Sequence, residues 1–284
     1  MHGAAIVCNV DDEAQLDPAT QRLLDDAWEA LDDGDLRAAA RGFAAARDAA
    51  PDDPAVFELE VGLALAREEP AAALDAYHRW NDAAPDDPEP WMGSAEVYLD
   101  YGEASEAARL LRELLAEFEL DPLDEADARH LLGLACDEKG DRKGTAKEWL
   151  AVLRLDAANE DPKPRMSAKR FEKVAAAALD ELPEEILVRL QNVPIFVEDR
   201  PSEALVLEGL DPRTLGLFHG IARPDQSALG AGPETGLIHL FQRNLEREAE
   251  DEDDLAEQIR VTVLHETAHY FGADEDDMQR FGLN

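Results

Sequence analysis

The sequence predicts a multidomain chain: an all-α array of helical repeats followed by a small α+β domain. Two observations carry this. "APDDPAV" begins at Ala50 and "APDDPEP" at Ala84, an offset of 34 residues. Past a polar, Pro-containing stretch the pattern changes, and helix-period apolar positions mix with short alternating segments. The expected organisation is a tail at 1–18, repeats at 19–158, a linker at 159–166 and a second domain at 167–284.

The tail opens "MHGAAIVCNVDDEAQ". It has no basic leading segment and only a short apolar patch, so it does not read as a secretory signal. The repeats follow. Gly34 and Gly102 stand two periods apart, Ala39, Ala73 and Ala107 one period apart, and Phe43 pairs with Tyr77. A fourth copy carries Gly133, Gly140 and Trp149, displaced by extra residues around "ELDPLDE". A period of 34 suits a helix–turn–helix unit. Small residues mark close helix crossings, aromatics fill the space between, and proline breaks the chain between units. The third copy, with Trp91, Ala95, Tyr98, Gly102 and Ala107, is the most regular. The second is degenerate in its first helix, where Gly62 falls one position late.

This pattern resembles the tetratricopeptide repeat (TPR). The resemblance implies a TPR-like superhelix whose concave face binds a peptide or protein partner. Trp80, Trp91, Tyr98 and Trp149 read as core filler. No residue in this half has a chemical partner at motif spacing, so the repeats read as a binding or scaffold module.

"DPKPRM" closes the linker. "SAKRFEKVAAAALDEL" then returns to helical spacing through Phe171, Val174, Ala175, Ala178 and Leu179, with Ser167 as its cap. "LPEEILVRL" continues as a helix entered through Pro183. "VPIFVED" alternates as a short strand, and "TGLIHLFQRN" reads as a second strand with Ile238, Leu240 and a trailing Arg243. "DEDDLAEQIRVTVLHETAHYFG" is a long helix. Its acidic first turn suits the positive end of the helix dipole, and Leu255, Ile259, Val263 and Leu264 form its buried stripe.

Inside that helix sits HETAH, which fits H-E-x-x-H. His265 and His269 are four residues apart, share one face, and can hold one Zn²⁺. Glu266 stands beside them as general base and then general acid. A catalytic zinc takes a third protein ligand, and fifteen residues follow His269. Counting His265 as one, Gly272 is position eight and Glu275 position eleven, where the pattern H-E-x-x-H-x-x-G-x-x-H puts its last ligand. Glu275 is therefore the expected third ligand. Asp276 is the alternative if the frame shifts by one, and Asp274 and Asp277 crowd the same turn. Met278 is too near to be a separate Met-turn. His219 and His239 are isolated and read as strand or loop residues.

Residues 167–284 resemble the bacterial minimal zincin-like metallopeptidases. The likeness rests on "RFEKVAAAALDELPEEILVRLQNVPIFVED", "LGLFHG", "LIHLFQRNLE" and "IRVTVLHETAHYFGADEDDMQRFG". It implies a small mixed sheet with a backing helix and an active-site helix, a zinc-dependent peptidase, and an acid at the position of Glu275. It names no substrate. A strand such as 236–242 is expected to line the cleft and hold an extended peptide by backbone pairing. Two other readings stay open. One is a TPR-based interaction scaffold with a zinc-stabilised, weakly active or inactive zincin domain. The other is a zinc hydrolase for a non-peptide amide.

Composition bounds the partners. With 27 Lys and Arg against 65 Asp and Glu the net charge is −38. Such a surface repels nucleic acid and anionic membrane, and attracts basic peptides or proteins. Two cysteines, Cys8 and Cys136, make no disulfide framework, and no apolar run is long enough to span a bilayer. A cytoplasmic protein is the expectation.

Overall fold

The computed structural model describes residues 16–159, 163–180, 194–219 and 237–270. In the first half, aspartate and proline start the helices. Helices α1 (Pro18–Asp32), α3 (Pro54–Leu65), α4 (Pro70–Ala83) and α7 (Pro122–Glu138) each begin with Pro in the first turn. There its missing N–H costs nothing and its fixed φ is already helical. Asp17, Asp53 and Asp121 cap three of them by accepting from first-turn amides, and Asp35 caps α2 (Leu36–Ala49) in the same way. The Asp-Pro pairs read as breaks in the sequence are thus also helix starts. Helices α5 (Glu89–Asp100), α6 (Ala104–Glu117) and α8 (Arg142–Asn159) complete this half.

The 34-residue register survives in three dimensions. Ala39, Ala73 and Ala107 are each fully buried. Gly34, Gly102 and Gly140 all adopt left-handed φ, at 76°, 76° and 68°, in the turns between paired helices. The second repeat places Glu68 at that position, with φ 59°. A side chain there meets steric strain that glycine avoids. Gly133 is required for a different reason: a Cβ on it would come within 2.1 Å of Trp149 Nε1.

The chain divides into two compact units. One comprises residues 1–124 with 134–139, the other 125–133 with 140–284. This division does not coincide with the polar stretch at 159–166. In the first unit, Leu24, Ala27, Ala39, Val56 and Leu59 form one apolar cluster, and Val61, Ala73, Ala76 and Val97 another.

The second unit holds helix α9 (Ala168–Asp180), strand β1 (Ile195–Glu198), helix α10 (Glu203–Glu208) and strand β2 (Gly216–His219). Strand β3 (Leu237–Phe241), helix α11 (Gln242–Glu248) and helix α12 (Glu252–Tyr270) follow. The helix expected through Pro183 lies outside the described residues. The sheet order is β1-β3-β2, with β1 parallel and β2 antiparallel to β3. Phe171, Ala175 and Ala178 of α9, Ile238 and Leu240 of β3, and Leu255, Ile259 and Val263 of α12 make its core.

Two sequence expectations are corrected. The strand ends at Phe241, and Arg243 lies in α11 rather than trailing the strand. Helix wins because buried side chains of α11 bind loops: Gln242 Nε2 donates to Met166 O, and Asn244 Nδ2 to Pro212 O and Thr214 O. Second, β3 is the central strand, hydrogen-bonded on both edges, so it cannot pair with a peptide.

The second unit is also tied across by charge. Arg213, in the segment before β2, binds Asp156 of α8 at 3.0 Å and Asp127 of α7 at 2.7 Å. Arg247 reaches the same two carboxylates, and His130 Nε2 lies 2.8 Å from Asp211 Oδ2. Burial opposes charge on Arg213, yet Asp156 and Asp127 hold its pKa above the usual value.

Glu68→Gly is expected to stabilise the repeats by about 0.5–1 kcal/mol, read as a higher urea midpoint at unchanged slope. Asp156→Ala leaves the nearly buried Arg213 short of a partner and is expected to cost about 3 kcal/mol in urea unfolding of the second unit. Asp127→Ala, at a side chain 44% exposed, is expected to cost much less.

Candidate active site

Helix α12 carries the HETAH residues. Its first turn is acidic, with Glu252, Asp253 and Asp254 at the positive end of the dipole. Asp251 Oδ1 accepts from the amides of Asp253 and Asp254 at 2.9 Å. The stripe Leu255, Ile259 and Val263 is fully buried and fixes the helix against the sheet. Continuing that face by one helical step brings Thr262 and Glu266 down onto β2.

Glu266 is 8% exposed. A carboxylate this buried needs donors. Phe218 of β2 supplies one: its backbone N–H donates to Glu266 Oε2 at 2.6 Å. Two residues earlier on the same strand is Gly216. A Cβ there would lie 2.7 Å from Thr262 Cγ2, 3.0 Å from Glu266 Cγ and 3.2 Å from Glu266 Oε1. The helix therefore meets the strand at the one residue without a side chain.

The strand's own placement is secured from behind. Phe241 N donates to Leu215 O at 2.9 Å, and β2 pairs Phe218 with Ile238 of β3. Asn244 holds the carbonyls of Pro212 and Thr214 just ahead of β2. The helix face, the strand and the buried amide of Asn244 thus fix where the Glu266 carboxylate stands.

The structure places the other expected residues as follows. His265 is half-buried on α12, immediately before Glu266, and His269 follows one turn later in the same helix. The side chain of His269 lies outside the described residues, and so do Glu275, Asp274, Asp276 and Asp277. Among the described residues no three His, Cys, Asp or Glu side chains gather as metal ligands. Helical backbone runs unbroken through both histidines, whose spacing of four residues is about one turn.

The rival histidines separate from this site or stay undescribed. His239 sits on β3 between Ile238 and Leu240, so it faces away from the core. Its Nδ1 lies 2.6 Å from Glu198 Oε2, and its ring stacks on Phe241. His219 ends β2, with its side chain outside the described residues.

Sequence reasoning missed Gly216, Phe218, Thr262 and Asn244. One signal was available: glycine inside the strand-like "LGLFHG", where it weakens a strand and marks a close approach of another element.

Residues 190–283 match the family model described as zincin-like metallopeptidase, and residues 64–123 match the model described as tetratricopeptide repeat. No curated protein matches the chain significantly. The chain thus joins a mostly helical region with tetratricopeptide repeats to a small C-terminal zincin-like region of few strands and helices.

Proposed function

We propose that residues 167–284 form a zinc-dependent peptidase and that the repeats hold its substrate or a protein partner. The observation that carries this reading is the buried Glu266 carboxylate at the centre of HETAH, anchored on the N–H of Phe218. The family match at 190–283 supports a peptidase. His265 and His269 supply two imidazoles for the metal, and Glu275, with Asp276 as the alternative, supplies a carboxylate. Zinc held there supplies a Lewis acid for the scissile carbonyl and lowers the pKa of water. Glu266 takes the proton of the attacking water and delivers it to the leaving amine. Burial suits this role, since it fixes the carboxylate in one geometry and keeps bulk water from competing for it.

The repeats fit a cationic partner. Burial and the carboxylates of Glu96, Glu89 and Glu58 push the Tyr77 phenol up to about 12. The same crowding holds Glu89 above the usual carboxylate range, where burial adds to repulsion from Glu96, Asp87, Glu58 and Asp124. A basic segment laid over this cluster relieves that repulsion. No helix among the described residues is long and apolar enough to cross a membrane.

Wild type should carry about one zinc per chain by elemental analysis. Glu266→Gln should keep the zinc and lose about 10²-fold or more in cleavage of a peptide library. Full activity in that variant would remove Glu266 from the chemistry. Absence of cleavage by zinc-loaded wild type would favour the scaffold reading. Single Ala substitutions at 274–277 should weaken zinc binding most at Glu275. A loss confined to Asp276→Ala would shift the register by one.

A further inference from the structure

We infer that strand β2 is the positioning element for Glu266 and that Gly216 is its specific residue: the missing Cβ lets the Glu266 stem settle on the strand, and the Phe218 N–H then holds its carboxylate. This rests on the reading of Glu266 as general base.

Three observations converge. Thr262 and Glu266 are one turn apart on α12 and both are buried, at 7% and 8% exposure. They straddle Gly216, where an added Cβ would meet atoms of both within 3.2 Å. Glu266 Oε2 is 2.6 Å from Phe218 N, a short bond from a strand whose other partner is β3. The stem is thus fixed at Gly216 and the head at Phe218. A Glu side chain has three rotatable bonds, and contact at both ends selects one arrangement of them.

Glycine is costly at this place. Within a strand it forfeits conformational entropy and packing area relative to alanine. Closer helix–strand packing alone would need only clearance for Thr262, whose methyl is the nearest atom at 2.7 Å. The two functions of the glycine, packing and positioning, therefore separate by substitution. Thr262→Ser removes the obstructing methyl and leaves Glu266 in place. In a Gly216→Ala/Thr262→Ser protein the remaining conflict is with the Glu266 stem.

The test uses the full-length, zinc-loaded chain, ¹⁵N-labelled, as wild type, Glu266→Ala, Gly216→Ala, Thr262→Ser and the double variant. Amide spectra, zinc per chain and kcat with KM for a cleaved peptide are measured. In wild type the Phe218 amide proton should resonate downfield, as for an N–H on a carboxylate. It should move upfield in Glu266→Ala, in Gly216→Ala and in the double variant, with zinc content kept. Thr262→Ser alone should leave it unmoved. The double variant should lose about tenfold or more in kcat at near-constant KM, since a displacement of the order of 1 Å is enough for such a loss. A Phe218 amide unmoved in Glu266→Ala, or a double variant with the wild-type amide shift or kcat, overturns the proposal. If wild type cleaves no peptide, the peptidase reading fails while the amide shifts still decide whether Gly216 positions Glu266.

Discussion

A buried carboxylate must be met by a donor, and in the C-terminal unit that requirement organises much of what surrounds it. Glu266 has left water at a cost of several kcal/mol unless it is hydrogen-bonded. One of its donors is a backbone amide, which is in place only if β2 lies alongside α12 at Phe218. The strand in turn needs β3 as its ladder partner, and the segment ahead of it is held by Asn244. The helix needs the apolar stripe Leu255, Ile259 and Val263 to seat it at the right height. Moving any of these parts would break the bond from Phe218 N–H to the carboxylate.

The repeats obey a different constraint, set by the turn within each helix pair. That turn demands a left-handed residue, and the sequence supplies glycine at 34, 102 and 140. The second repeat keeps the geometry with Glu68 instead. Neighbouring helices impose the turn even where the local residue opposes it, because each repeat buries its apolar face only against the next. The degeneracy of that repeat, visible as the misplaced Gly62, is therefore a loss of local preference and not of structure. Gly62 itself lies close against Trp28, with an added Cβ only 2.8 Å from the ring.

Charge has two roles in this chain. Around Tyr77 in the repeats carboxylates crowd together, and they raise the cost of ionising Glu89 and the Tyr77 phenol. In the C-terminal unit charge is paired. Arg213 and Arg247 share Asp127 and Asp156, and Arg243 and Gln242 share the buried Glu246. Arg213 and Arg247 thereby bridge elements distant in sequence, from α7 and α8 to the segment before β2 and α11.

By itself the sequence determined what repeats and what alternates. The 34-residue period, the α9 face through Phe171, Ala175 and Ala178, and the α12 stripe were legible because helical periodicity is a local property. So was the HETAH spacing, since a turn of helix fixes which side chains share a face. Glu275 and Asp276 were readable as a count along the chain and remain a proposal, lying outside the described residues. What the tertiary structure decided was non-local. The order β1-β3-β2 made β3 the centre of the sheet and withdrew it from peptide pairing, and no feature of "TGLIHLFQRN" encodes its neighbours. Gly216 became a functional candidate only when a helix 46 residues later in sequence, at Thr262, came to rest on it. The link from Arg213 to Asp156 spans 57 residues and leaves no periodic trace. Periodicity records which face of an element is buried, whereas the partner that covers it is chosen by packing, and the site lies where two such faces meet.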